Sequence, residues 1–249
     1  MPRPNLSIVP EFYHKYINQV PENDLMEAFQ KESPSFTQFM ENIPEAKREY
    51  RYSEGKWTIK EVVQHIIDGE RVFDYRALCF ARKDPAPLPG FDENIFAANA
   101  KSENRNWNDL MEEFKVVRKS SEYLFGSFDE EQLNARGISS NHSNYVLAFG
   151  YVIIGHSLHH LNVIRERYLA SWVSFRIPEI SDEFYRVDDA MMAGFGWEIG
   201  AFESWDVLGV EKTVKAMKEA GYKVAAWVEE MLNKGIKSFY KVENGIRLC

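Results

Sequence analysis

At 249 residues the chain is longer than a single helical domain usually needs, which predicts one full domain followed by a smaller one. A hydrophobic content of 45%, with 12 Tyr and 17 Phe, excludes a disordered chain. The formal charge of -8, with no Lys/Arg cluster interleaved with aromatics, excludes the electrostatic footprint of a nucleic-acid binder.

Residues 1 to 20 carry scattered prolines and aromatics and are read as an irregular lead-in. Leu25, Phe29, Phe36 and Met40 then recur at helical spacing, with Pro34 predicted to kink the helix near its middle. The next start signal is stronger. Thr58 at N-cap and Glu61 at N3 form the reciprocal pattern of a capping box, opening a helix to about Arg82 whose inward face is Val62, Ile66 and Phe73. Asp84-Pro-Ala-Pro-Leu-Pro-Gly90 ends it, and the polar stretch to Asn106 is read as a long surface connection. A third helix is predicted from Trp107 to about Phe125, with Leu110, Phe114, Val117 and Leu124 on one side and Gly126 beyond its end. A fourth, apolar on nearly all sides in its first half, is predicted from near Asn144 to Tyr168, as a bundle's central helix would be.

From about Ala170 the texture changes. Four of the six Trp lie beyond this point, together with the pattern Gly194-Phe-Gly-Trp-Glu-Ile-Gly200, and Pro178 forces a new start. The predicted organisation is therefore all-α: a four-helix bundle over 1–168 and a small helical domain over 169–249, with no sheet beyond a short extended piece near Phe239. The plain reading of Trp197, Trp205 and Trp227 is that they form the core of that second module, with the glycines serving tight turns.

Two cysteines, Cys79 and Cys249, are too few for a disulfide framework or a cysteine-rich zinc site and fit a reducing compartment. The start Met-Pro-Arg-Pro-Asn has no apolar leader, and the most apolar run, Tyr145 to Ile154, falls well short of the roughly 20 residues that cross a bilayer. A cytoplasmic protein with no membrane partner is expected.

The chemistry-bearing feature is the histidines. Of six in the chain, His65 lies on the second predicted helix and His156, His159 and His160 on the fourth. Residues three or four apart share a helix face, so either His156/His160 or His156/His159 can aim two imidazoles at one point, and spacing does not choose between them. His156 shares its stripe with Phe149, Val152 and Val163, the side that faces the bundle, while His65 lies close to Gly69, whose missing side chain leaves room beside a ligand. Two inward histidines from one helix and one from another can make a three-nitrogen metal site with an open coordination position. The plainer reading is that these are unrelated core histidines.

Trp57-Thr58-Ile59-Lys60-Glu61-Val62-Val63-Gln64-His65 with Asp68 beyond, and Gly155-His156-Ser-Leu-His159-His160, resemble the DinB-like superfamily over about residues 10–168. That resemblance implies a four-helix bundle in which His65, His156 and His160 bind one divalent metal, and it leaves His159 as an exposed neighbour. It implies Zn, Ni or Fe as cofactor, a small-molecule substrate and a homodimer. It also implies an enzyme that transfers a low-molecular-weight thiol to an electrophilic small molecule, with metal-dependent hydrolysis and a non-enzymatic scaffold as the alternatives. Asp68 could orient His65 but reads more simply as a solvated carboxylate, so no catalytic acid or base is assigned.

Arg176-Ile-Pro-Glu-Ile, Asp188-Asp-Ala-Met-Met, Gly194 to Asp206, Leu208-Gly-Val and Lys237-Ser-Phe-Tyr-Lys resemble the C-terminal helical domain of 3-hydroxyacyl-CoA dehydrogenases, with Ala201 where that family has Pro. No Gly-x-Gly-x-x-Gly follows a strand, so dehydrogenase activity is not expected of this polypeptide. An acyl-CoA contact, a dimer contact or an inactive fragment joined to the bundle are the roles this leaves open.

Overall fold

The computed structural model describes residues 1–170, 174, 177, 181, 183–195, 199–219, 223–243 and 246–248. Trp197, Pro178 and Cys249, and the middle of the Gly194–Gly200 pattern, lie outside the described residues. The fold is all-α, as predicted, with two short hairpins added. Two units divide the chain: Met1–Glu49 with Trp57–Leu161, and Tyr50–Lys56 with Asn162–Cys249.

In the first unit, α1 (Glu11–Ile17), α2 (Leu25–Glu41), α3 (Ile59–Ala81), α4 (Glu93–Asn99), α5 (Trp107–Gly126) and α6 (Val146–Val163) follow in order. The four long helices α2, α3, α5 and α6 share the core. Leu25, Phe29, Phe73, Phe80, Phe125 and Phe149 are all buried in one cluster, and Phe36 meets Phe114 at 4.7 Å between ring centres. Each such side chain contributes about 1.5–3 kcal/mol through the apolar area it withdraws from water.

Local chemistry sets the helix ends. Thr58 accepts from the Glu61 N–H while the Glu61 carboxylate accepts from the Thr58 N–H, so the capping box forms as the sequence predicts. Asp24 caps α2 through the N–H groups of Met26 and Glu27. Pro34 sits inside α2, and the helix continues through it.

Three expectations are corrected. The lead-in is not irregular: Tyr13 and Ile17 on α1 are buried, and the Arg3 guanidinium donates to the carbonyls of Ile17, Val20 and Glu22, holding the segment on the core. The stretch before Asn106 contains α4, capped by Asp92 through the N–H groups of Asn94 and Ile95, with no residue of the helix buried. No sheet is expected before the piece near Phe239, yet one precedes the last bundle helix, which starts at Val146. Residues before it are spent on a hairpin of β1 (Arg136–Ser139) and β2 (His142–Tyr145), turned by Ser140 and Asn141 at positive φ. From Ile164 to Ala170 the last helix is π-helical.

By length and composition Val146–Tyr168 could cross a membrane, contrary to the expectation that no stretch would approach that size. Of its most apolar window 72% is buried inside the protein, as for a core helix.

Within the bundle lies a polar cluster contributed by all four helices. Arg118 on α5 donates to both oxygens of Glu70 on α3, and also to Ser33 on α2 and Ser157 on α6. The Ser121 hydroxyl lies within hydrogen-bond distance of both Glu70 and Asp74, at 2.6 and 2.8 Å, and its one proton can serve one of them at a time. Burial and the neighbouring Glu70 push the Asp74 carboxyl up to about 7, and its second oxygen has no partner.

The second unit has its own core. Its elements are α7 (Phe184–Phe195), α8 (Ala201–Leu208), α9 (Val210–Glu219), α10 (Ala226–Asn233) and a hairpin of β3 (Lys241–Glu243) with β4 (Ile246–Leu248), beside the predicted extended piece. Trp205 is buried among Phe202, Val210, Val228 and Phe239, while Trp227 packs half-buried against them. Tyr52 belongs here because its ring meets Tyr168 at 4.7 Å. Buried Asp188 accepts from the N–H groups of Phe202 and Glu203 and so caps α8. A Cβ on Gly200 would fall 2.1 Å from the Asp188 carboxyl carbon, so this glycine serves close approach and not a tight turn.

Arg118→Met leaves Glu70 charged, buried and unpaired, and is expected to destabilise the protein by about 3–5 kcal/mol in urea denaturation. Adding Glu70→Gln should recover much of that loss. Equal stability of the single and double variants would show that the carboxylate left without Arg118 carries no penalty.

Candidate metal centre

Helices α3 and α6 place the three predicted ligands together. His65 projects from α3, and His156 and His160 stand one turn apart on α6. Nε2 of His65 is 3.0 Å from Nε2 of His156, which is 3.1 Å from Nε2 of His160. The potential ligand atoms of all three lie within 4.8 Å of one another. The ring planes stand at 70°, 76° and 85° to each other, so three imidazoles converge edge-on from different directions.

This arrangement has a satisfaction problem that a cation removes. His156 has a single Nε2 facing two others, and one nitrogen with one in-plane lone pair or one proton cannot complete proper hydrogen bonds to both. Three converging lone pairs suit a shared ion, since tetrahedral ligands at about 2.0–2.1 Å from zinc lie roughly 3.3 Å apart. Burial depresses the His65 pKa to about 4, and burial with the neighbouring histidines takes His156 and His160 well below the usual value, so all three are neutral, as metal ligation needs.

The surroundings fix the rings. Trp57 lies 4.7 Å from His65 between ring centres, and Tyr16 on α1 meets His156 edge-on at 5.3 Å. Gly69 does leave space, but for a ligand ring itself: a Cβ there would be 3.3 Å from Cε1 of His156. A Cβ on Gly155 would be 2.0 Å from the Tyr16 carbonyl oxygen, so only glycine lets α1 lie against α6 at this point. Ser157, next to His156, accepts from Arg118, which ties α6 to the buried polar cluster.

His159 is half-buried rather than exposed, with its ring 5.4 Å from Tyr16 and 5.2 Å from His160. It is not among the three clustered ligands. Asp68 accepts from Gln64, itself an acceptor from Arg105, and burial raises the Asp68 pKa.

Sequence reasoning missed Tyr16, although Tyr13, Tyr16 and Ile17 after Pro10 carry helical spacing that would have found α1. It also missed Glu70, Arg118 and Ser157, because an isolated charge on a helix reads as solvated.

The DinB superfamily pattern matches residues 28–164, more than half of the chain, and the chain belongs to that superfamily. A solved structure, YfiT from Bacillus subtilis, is described as a probable metal-dependent hydrolase with an unusual four-helix bundle topology. It superposes with a TM-score of 0.50 at 18% identity, over 66% of this chain and 89% of that one, a likeness of fold. Separately, 69 residues, 28% of the chain, are 43% identical to a probable 3-hydroxyacyl-CoA dehydrogenase of Bacillus subtilis (strain 168). They span 9% of that relative's length.

Two outcomes are expected. Gly155→Ala must push the Tyr16 backbone away, costing about 1–3 kcal/mol and loosening α1, which hydrogen exchange of the α1 amides would register as faster exchange. In chelator-treated protein the three clustered histidines, with pKa values depressed in the fold, lose stability as pH falls from about 6.5 toward 4, because the unfolded chain takes up their protons first. Raised Asp74 acts with the opposite sign over the acid side of neutrality. Imidazole nitrogen NMR at pH 5.5 should find the His65, His156 and His160 rings neutral, and charged rings there would refute the burial argument.

Proposed function

We propose that this member of the DinB superfamily is a metal-dependent enzyme in which His65, His156 and His160 hold a divalent cation and a small-molecule substrate is hydrolysed beside it. The observation that carries the reading is the convergence of three neutral Nε2 atoms from two helices. It is supported by the likeness of fold to YfiT, a probable metal-dependent hydrolase. A zinc, nickel or iron ion held by His65, His156 and His160 would supply Lewis acidity to a water or thiol nucleophile.

The chain's own residues have definable parts. The three imidazoles are kept neutral by burial, and Trp57, Tyr16 and Phe73 limit their movement and exclude bulk water from their edges. Gly69 and Gly155 admit His156 and the Tyr16 carbonyl at close range. Asp68, engaged by Gln64, is kept out of the mechanism.

A second reading, transfer of a low-molecular-weight thiol to an electrophile, is favoured by a polar cavity of about 290 Å³ lined by Arg48, Lys60 and Arg105 together with Glu45 and Glu49. Lys60 lies on α3, five residues before His65, but it is paired with Glu49 and Arg105 with Glu113, so Arg48 is the cation that suits a carboxylate of a peptide-like thiol. Hydride transfer forms no part of either reading, and the dehydrogenase-like stretch is assigned a structural role.

Elemental analysis after exhaustive dialysis at neutral pH should find close to one divalent ion per chain in wild type and background in His156→Ala. Loss of activity on chelation and its return with zinc, nickel or iron, measured on an ester and amide panel with and without added thiol, then separates water from thiol as nucleophile. Metal-free wild type that takes up none of these ions would return the histidines to the core and end both readings.

A further inference from the structure

A groove of about 520 Å³ opens on the first unit between α3 and α4. Its walls are apolar: Val72, Tyr75, Leu88, Phe91, Ile95 and Phe96. Tyr75, Ile95 and Phe96 are exposed at 57%, 60% and 42%, and Phe91 and Phe96 pack ring to ring at 5.2 Å. Large apolar side chains left open in a concavity of this size are what small-ligand sites present, commonly at about 300–1,000 Å³.

Among them is a buried charge. Arg76 lines the same groove, yet it is only 2% exposed. Its guanidinium donates to the Tyr13 hydroxyl, the Pro89 carbonyl and the Ser140 hydroxyl, all neutral. Of the five N–H donors of a guanidinium, those three bonds leave two. Among the described residues no carboxylate pairs with it. Asp92, also in the groove, is committed to the N–H groups of Asn94 and Ile95, and Arg71 is paired with Glu113. The contrast with Arg118, equally buried but matched by Glu70, is direct. A buried cation without its anion is costly to keep, and the bonds from Tyr13, Pro89 and Ser140 spend three elements on holding it in place.

We propose that this groove is a ligand site separate from the three histidines, and that it takes a small apolar monocarboxylate with its carboxylate on Arg76 and its hydrocarbon against Phe91, Ile95 and Phe96. The carboxylate supplies the missing charge and accepts from one of the two unused donors. The exposed apolar side chains on α4 close over the hydrocarbon. A dianion or a sugar phosphate is disfavoured by the apolar walls and by Asp92.

The test is calorimetric titration of the full chain at pH 7 with octanoate and with its neutral counterpart octanamide, with and without EDTA. One octanoate is expected per chain, bound at least tenfold more tightly than the amide and unaffected by EDTA. Arg76→Gln should bring octanoate down to the level of the amide. Because that residue is buried and the variant could misfold, Ile95→Glu, at an exposed position, provides the second arm. It should weaken octanoate at least tenfold while leaving the circular dichroism spectrum unchanged. Equal binding of acid and amide, no binding of either, binding abolished by EDTA, or full affinity in Ile95→Glu would each overturn the proposal. The comparison of acid with amide and the Ile95→Glu arm read the same whether or not the histidines carry a metal, so failure here is distinguishable from failure of the metal reading.

Discussion

The bundle turns on the buried pairing of Arg118 with Glu70. One guanidinium reaches side chains on α2, α3 and α6 from its own helix α5, so four helices that could otherwise slide along an apolar core are given a register. Apolar packing is tolerant of rotation, whereas a charge-assisted bidentate bond is not. The pair gains little net stability against hydrophobic residues of equal size, so its value lies in specifying one arrangement. Ser157 carries that specification to its neighbour His156, and the convergence of histidines from two helices depends on α3 and α6 keeping their relative rotation.

Much of this could be read from residues alone. The Thr58/Glu61 capping box, the helical spacing of Leu110, Phe114 and Val117, and the all-round apolar start of the last bundle helix are local signals, and local signals survive folding. The histidine trio was legible in part: spacing left His159 and His160 open, and only resemblance to a family separated them. The structure separates them by direction, since His159 turns to Tyr16 while His160 turns to His156. The hairpin before α6 escaped because Arg136–Tyr145 is mostly polar and its other backbone partner, Leu88, is distant in sequence. Arg76 and Arg118 escaped for a different reason. Burial of a charge is a property of the assembled bundle, and nothing in the neighbouring residues distinguishes an arginine that will be enclosed from one that will be solvated.

The second unit is organised on the same economy of means with another chemistry. Buried Asp188 caps α8 and accepts from the Tyr240 hydroxyl, and Asp206 accepts from the N–H groups of Phe239 and Tyr240. Two carboxylates thus fasten the residues leading into the final hairpin to the helices around Trp205. Every one of these acceptors is used on backbone or on Tyr240, a fastening role that accords with the structural assignment of this stretch.

The separation of His65 from His156 along the chain gives the centre a further meaning. They stand 91 residues apart and meet at 3.0 Å. A cation shared between them would be a reversible cross-link closing a loop of that length, comparable in its topology to a disulfide in a chain with no paired cysteines described. The entropy lost on closing a loop grows with the logarithm of its length, so most of the benefit is already present in a loop this long. Two of the three donors, His156 and His160, become neighbours as soon as one helical turn of α6 forms. An ion could therefore be captured locally and then draw in α3, making loading and assembly of the bundle a single thermodynamic event.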